Sequence, residues 1–306
     1  MNNEKWNSNN IPDQSGRTVI VTGSSSGIGF EAAKILAGKN AKVIIAVRNL
    51  NKGVVAKEKI VIEHPDANIE VMELDLADLS SVIKFVNDFK AIYTKLDLLI
   101  NNAGVMIPPY SKTKDGFELQ MGTNHMGHFA LTLQLLDLLN QTEGSRIVNV
   151  SSAAHKYGNI NFDDLEWKNR KYKAWRAYGD SKIANLYFTF ELQKRLKEAS
   201  SNILVTAAHP GWTATDLQRH SGLFEFLNKF FAMEGWQGAL PTLRAAIDPD
   251  SKASDYYGPE GFQEWKGYPV KVETNQLAKD PDIAKKLWDV SEKLTNQKLR
   301  MEKQFA

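Results

Sequence analysis

Cysteine is absent from the 306 residues, which removes disulfides, thiolate metal sites and cysteine nucleophiles from consideration. Long apolar runs are missing too. No stretch approaches the ~18 consecutive apolar residues of a membrane-spanning helix, and the opening MNNEKWNSNNIPDQSG is too polar for a signal peptide or anchor. A cytoplasmic protein without a membrane anchor is the expectation. Charge of one sign is also lacking: 38 Lys and Arg stand against 36 Asp and Glu, a formal net charge of +2. With no long like-charged run, neither nucleic acid nor an anionic membrane is an expected partner. There is no repeat, linker or low-complexity tract, and 42% hydrophobic content suits one large α/β domain or two small ones.

What is present is alternation. Short β-branched apolar runs, TVIVT (18–22), KVIIAV (42–47), IEVMEL (69–74), LDLLI (96–100), RIVNV (146–150) and NILVTAA (202–208), are separated by helix-length amphipathic stretches such as FEAAKILAGKN. Strands of that composition are buried on both faces, so the fold class is α/β, a single doubly wound parallel sheet. Residues 1–16 read as a flexible segment and 17–306 as one domain. The last 85 residues read as an extension of that domain, dense in aromatics and turn formers. Its final helix should begin at Asp280-Pro281, with Ile283, Leu287, Val290 and Leu294 on one stripe. A substrate lid is the reading for about 218–240, where Phe224, Phe226, Leu227, Phe230 and Phe231 of GLFEFLNKFF favour an apolar substrate; core packing is the alternative.

Directly after the first strand, Thr22-Gly23-Ser24-Ser25-Ser26-Gly27-Ile28-Gly29 opens a helix. Glycines there let backbone approach a pyrophosphate, whose charge the helix N-terminus stabilises. A dinucleotide site usually places a carboxylate about 20 residues on, against the ribose 2′-hydroxyl. Arg48 stands there instead, where a guanidinium can hold a 2′-phosphate in a forked contact. NADP(H) is therefore preferred, with NAD(H) the alternative; a solvated arginine at a strand end is the bland reading. Asp75, beside Leu76, suits the adenine amine or a helix cap, and Asn102-Ala103-Gly104 ends the fourth strand where ligands bind in such sheets.

Tyr178 and Lys182 follow Ser151-Ser152 on a stretch that reads as a helix, where i, i+4 spacing puts both on one face. A proton donor to a carbonyl near neutrality needs a tyrosine lowered by about three units from its reference of ~10, and a neighbouring ammonium and a cationic nicotinamide ring can supply much of that. Ser152 can donate to the substrate oxygen. His125, His128 and His155 read as structural histidines, with no metal expected.

In order, TGSSSGIG, NNAG (101–104), TNHMGHF (123–129), VNVSS (148–152), YGDSK (178–182) and HPGWTATDL (209–217) resemble the short-chain dehydrogenase/reductase family from about Arg17 onward. The resemblance implies a Rossmann fold, Tyr178 as acid/base, Lys182 on the nicotinamide ribose, Ser152 (fallback Ser151) on the substrate carbonyl, and Asn124 in a proton relay. It also implies cofactor contacts from Gly23, Ser24, Ser26 to Gly29, Pro210, Gly211, Thr213 and Thr215. The 25 residues between Ser152 and Tyr178, containing INFDDLEWKNRKYKAW, and the tail YYGPEGFQEW are similar to the retinol-dehydrogenase-like branch, with the soluble bacterial members the nearer match. A small apolar carbonyl or alcohol is then the expected substrate and Trp212 an expected pocket wall. A homo-oligomer paired through the tyrosine-bearing helix is compatible, unless the insertion and tail block that face. A catalytically silent NADP(H) sensor or scaffold of the same fold is the second reading.

Overall fold

Runs such as TVIVT and KVIIAV leave almost no polar side chain to face water, so they must be covered on both sides. The computed structural model, which describes residues 5–213 and 233–300, places them at the centre of an eight-stranded sheet. Its strands are β1 (Thr18–Thr22), β2 (Lys42–Val47), β3 (Ile69–Glu73), β4 (Leu98–Asn101), β5 (Arg146–Val150), β6 (Leu204–Ala208), β7 (Tyr256–Pro259) and β8 (Pro269–Lys271). The order is 3-2-1-4-5-6-7-8, parallel except for the final β7–β8 pair. Strand order reverses between β1 and β4, which opens a crevice at their C-terminal ends.

The described helices are α1 (Gly27–Ala37), α2 (Leu50–Glu63), α3 (Leu79–Ile92), α4 (Gly127–Asn140), α5 (Ala174–Glu198), α6 (Gly235–Ile247) and α7 (Pro281–Thr295). One core lies between the sheet and α1, α2 and α6, through Ala32, Leu36, Ile60 and Leu243. Another lies beneath α3, α4 and α5, through Phe85, Phe89, Phe129 and Leu192, and a third joins α5 to α7 through Ile183, Tyr187, Ala284 and Leu287. No helix among the described residues is long and apolar enough to cross a membrane.

Three expectations change. First, β7 and β8 arise from the tail read as turns and helix. YYGP carries two strand-depleted residues, yet it buries all four against β6, and proline is tolerated at its end. Second, α7 begins as expected, with Asp280 Oδ1 accepting from Asp282 N and Ile283 N ahead of Pro281. Its buried face, however, is Ala284, Leu287, Trp288, Ser291 and Thr295, and Leu294 is exposed. Small residues win that face because α7 packs closely along α5, with Trp288 edge-on to Phe129 and Ser291 Oγ 2.8 Å from His125 Nε2. Third, the later part of the N-terminal segment is seated: Ile11 is only 1% exposed and Gln14 N donates to Lys39 O.

Candidate active site

A cavity of about 850 Å³ occupies the crevice. At one end the glycine-rich turn leaves β1, and two of its glycines are dictated by contact. Gly23 has φ +68° and a Cβ there would lie 2.8 Å from the Ala103 Cα; a Cβ on Gly29 would lie 2.3 Å from Asn102 Nδ2. The NNAG segment is thus the floor of the turn. Asn102 Nδ2 donates to Thr22 O, and the Asn102 and Ala103 amides both donate to Thr22 Oγ1. Asn101 Nδ2 bonds sideways to Thr132 Oγ1 and Asn149 Oδ1, fixing β4 against its neighbours.

Gly23, Ser26, Gly27, Ile28, Gly29, Arg48, Asp75, Leu76, Asn102, Ala103 and Gly104 all border the cavity, as do Tyr178, Lys182 and Pro210 at its other end. Ser24 does not. It is fully buried and its hydroxyl donates back to Val21 O, which spends the side chain on the turn itself. Asp75 borders the cavity while its Oδ1 accepts from Ala77 N; the cap of α3 is Asp78. Two cations escaped the sequence reading: Lys52 and Lys59 join Arg48 at the far wall, one and three turns into α2. Their spacing from Arg48 is legible only once α2 is known to run back beside the strand end. Thr123 Oγ1, buried at the wall, has no partner among the described residues.

The opposite end gathers the Ser-Tyr-Lys-Asn set. Tyr178 and Lys182 share one face of α5, and Lys182 Nζ donates to Val150 O at 3.2 Å. The two serines part company. Ser151 borders the cavity but its Oγ donates to Lys182 O, which holds α5, whereas Ser152, outside that lining, is within hydrogen-bonding reach of the Tyr178 phenol and accepts from Ala154 N. Asn124 lies in a π-helical turn, Gly122–Met126, where its Oδ1 accepts from Val105 N and its Nδ2 donates to Val105 O and Ser181 Oγ. Its side chain is therefore a clamp between the loop after β4 and α5. Its carbonyl accepts from His128 Nδ1, which leaves His128 Nε2 as acceptor for Thr22 Oγ1.

In the chain alone, burial sets the tyrosine's electrostatics. Burial pushes the Tyr178 phenol up, to about 12, and contact with Ser152 only partly offsets this. Lys182 Nζ sits 5.7 Å from the centre of the Tyr178 ring and donates to Val150 O. Burial likewise lowers Lys182, to about 8. Desolvation of a charged form outweighs a neighbouring charge that is not in contact.

Met106, Pro108 and Leu119 line the cavity and give it apolar walls; none of them was singled out by sequence. Trp212 packs against Trp265, with ring centres 5.9 Å apart, and Thr213 Oγ1 donates to Pro210 O. Thr215 and most of the supposed lid lie outside the described residues, although 235–240 begins α6. His125, His128 and His155 are buried, each with a hydrogen-bond partner. No group of three or more metal-ligating side chains occurs among the described residues.

A family model for short chain dehydrogenases matches residues 17–164. Human retinol dehydrogenase 11 is 41% identical over 280 residues, 90% of this chain and 85% of its own. The chloroplastic short-chain dehydrogenase TIC 32 A of Brassica napus is 42% identical over 290 residues, 90% and 88% of the two chains. Among solved structures, an uncharacterised protein of Mycobacterium paratuberculosis superposes with a TM-score of 0.82 at 42% identity, over 97% of this chain and 99% of that one. A Pseudomonas aeruginosa RhlG complex with NADP superposes with a TM-score of 0.55 at 25% identity, over 69% and 79%. With the glycine-rich turn, the NNAG floor, Tyr178 and Lys182 already placed along one crevice, these likenesses settle the family: the chain is an oxidoreductase of the short-chain dehydrogenase family, retinol-dehydrogenase-like, and that family binds a nicotinamide cofactor.

Proposed function

We propose that this protein is an NADP(H)-dependent reductase of apolar carbonyl compounds, with Tyr178 as the proton donor. The observation that carries the reading is the polarity of the cavity: Arg48, Lys52 and Lys59 stand at one end, while Tyr178 and Lys182 close the other beside Met106, Pro108 and Leu119. The residues fit a dinucleotide. The glycines at 23 and 29 let the turn sit directly on Ala103 and Asn102, which brings the start of α1 to the cavity wall where it would meet a phosphate, and the three cations match a 2′-phosphate. When bound, NADPH supplies a hydride to the carbonyl carbon and leaves as NADP⁺.

The chain's own residues do the rest. Ser152 orients the carbonyl oxygen, Tyr178 gives it a proton, and Lys182 holds the nicotinamide ribose and stabilises the resulting phenolate. Asn124 keeps α5 and the loop after β4 at fixed separation. Purified protein should oxidise NADPH in the presence of some members of a panel of apolar aldehydes and ketones. Tight NADPH binding with no turnover on any of them would favour a silent cofactor-binding protein instead.

Cofactor preference has its own expected result. Arg48→Asp should raise the Kd for NADPH about 10–100-fold, the worth of a lost charge-assisted contact plus a new repulsion. NADH affinity should move little, and Lys52→Met and Lys59→Met should act in the same direction with smaller effect. Fluorescence titration with both cofactors checks this; an unchanged NADPH/NADH ratio in Arg48→Asp removes that residue from the site.

A further inference from the structure

One carboxylate outside the cofactor cavity touches both loops that frame the catalytic end. Glu264 lies in the loop between β7 and β8. Its Oε1 is 3.1 Å from Lys156 Nζ and its Oε2 is 3.0 Å from His209 Nε2. Lys156 belongs to the turn Ala153–Tyr157, whose cap is Ser152. His209 begins the segment that runs through Pro210 on the cavity wall to Thr213.

The His209 ring is fully buried, and its Nδ1 accepts from Gly211 N at 3.3 Å. Neutral imidazole carries one hydrogen, so the hydrogen is on Nε2, the nitrogen that faces Glu264. The seat is tight, for a Cβ on Gly258 would fall 2.0 Å from Nε2. The same loop also grips the segment through its backbone. Trp212 N donates to Trp265 O at 2.6 Å, and a Cβ on Gly211 would lie 2.5 Å from that carbonyl.

The loop holds this shape against its own preference. Gln263 and Glu264 are both left-handed, with φ of +50° and +59°. Such conformations cost a non-glycine residue about 1–3 kcal/mol and persist where surrounding contacts over-determine them. Here those contacts are the Lys156 and His209 pairs and the Trp265 carbonyl.

We propose that Glu264 is a positioning residue that couples the Ser152 turn to the His209–Thr213 segment. In this way the hydroxyl facing the substrate carbonyl and the wall facing the nicotinamide end keep one separation. The proposal rests on the reductase reading above, and the two are tested by different comparisons. Turnover by the unaltered protein tests the reading; the pattern among Glu264→Ala, Glu264→Gln and Lys156→Met tests the coupling.

Glu264→Ala takes the carboxylate away from the buried His209 Nε2 and frees Lys156, so it should raise the NADPH Kd and lower kcat, each by about tenfold, one short charged contact apiece. Glu264→Gln keeps an acceptor for His209 but loses the charge facing Lys156. Its NADPH Kd should return to within about threefold of the unaltered protein while kcat stays low. Lys156→Met should lower kcat about threefold, as for a half-exposed ion pair, and leave the NADPH Kd unchanged. A residue needed only for folding would move neither parameter selectively and would not divide them this way.

If Glu264→Ala folds and leaves both parameters within twofold, the coupling is wrong. It is equally wrong if Lys156→Met shifts Kd as much as kcat. Should Glu264→Ala fail to fold, the Glu264→Gln and Lys156→Met pair decides. If no carbonyl is turned over by the unaltered protein, the NADPH Kd of Glu264→Ala against Glu264→Gln decides the cofactor half alone, and equal values overturn it.

Discussion

Tyr178→Phe should lower the rate of carbonyl reduction by at least about 10³-fold while leaving NADPH affinity within a few-fold, because general-acid catalysis by one positioned group is worth about 10²–10⁴. The substitution removes one oxygen and keeps the ring, which is 7% exposed and packed 6.0 Å from Trp175. Stability should therefore hardly change, and a burial cost vanishes with the hydroxyl. The phenol pushed up to about 12 is protonated throughout the neutral range. That is the state a donor needs for reduction, so the cofactor-free chain is already primed in this direction. Alcohol oxidation needs the phenolate and should lag behind reduction at neutral pH, gaining as pH rises. Steady-state rates in both directions across pH, for the unaltered and Tyr178→Phe proteins, check this. Residual reduction within tenfold of the unaltered protein would remove Tyr178 from the proton path.

How far the sequence carries depends on whether a feature is local. β1, β2 and β5 were readable to the residue because a run of Val, Ile and Thr between turns has no other economical conformation in an α/β chain. The motif order brought the cavity's two ends together correctly, since each motif sits at the C-terminal end of a parallel strand or on the helix after it. What failed was tertiary. YYGP reads as a turn until β6 is there to pair with it. The α7 stripe was misjudged because hydrophobicity chose Ile283 and Leu294, while close approach to α5 required Ala284 and Ser291. Ser24 is an expected cofactor contact by family position, while its hydroxyl turns inward to Val21 O. The upward shift of Tyr178 in the chain alone was not legible because its cause is burial, which only the tertiary packing supplies. Glu264 had no sequence signal at all, since its partners lie 108 and 55 positions earlier in the chain.

Lys182→Met should abolish turnover yet make the cofactor-free protein more stable at pH 7. Lys182 is 4% exposed and its ammonium has a single carbonyl partner and no counter-ion among the described ion pairs. Its ionisation is lowered from 10.5 in the unfolded chain to about 8 when buried. A depressed lysine means that the unfolded state binds more protons between those values, so stability rises with pH across that window. Below about pH 8 the whole penalty is present, on the order of 3 kcal/mol; above about 10.5 it is gone. Methionine fills much the same volume without the charge, and Val150 O keeps Asn185 Nδ2 as a donor at 3.0 Å, so no carbonyl is orphaned. Urea melts of both proteins should therefore diverge at neutral pH, with the variant the more stable, and converge as pH rises from 8 to 10.5. A variant less stable than the unaltered chain at pH 7 would mean that the ammonium is solvated or paired in solution, and the case for it as a preorganised cation would fall with it. If the result stands, the protein tolerates a buried, unpaired charge at the one place where a bound dinucleotide and a developing phenolate would both use it.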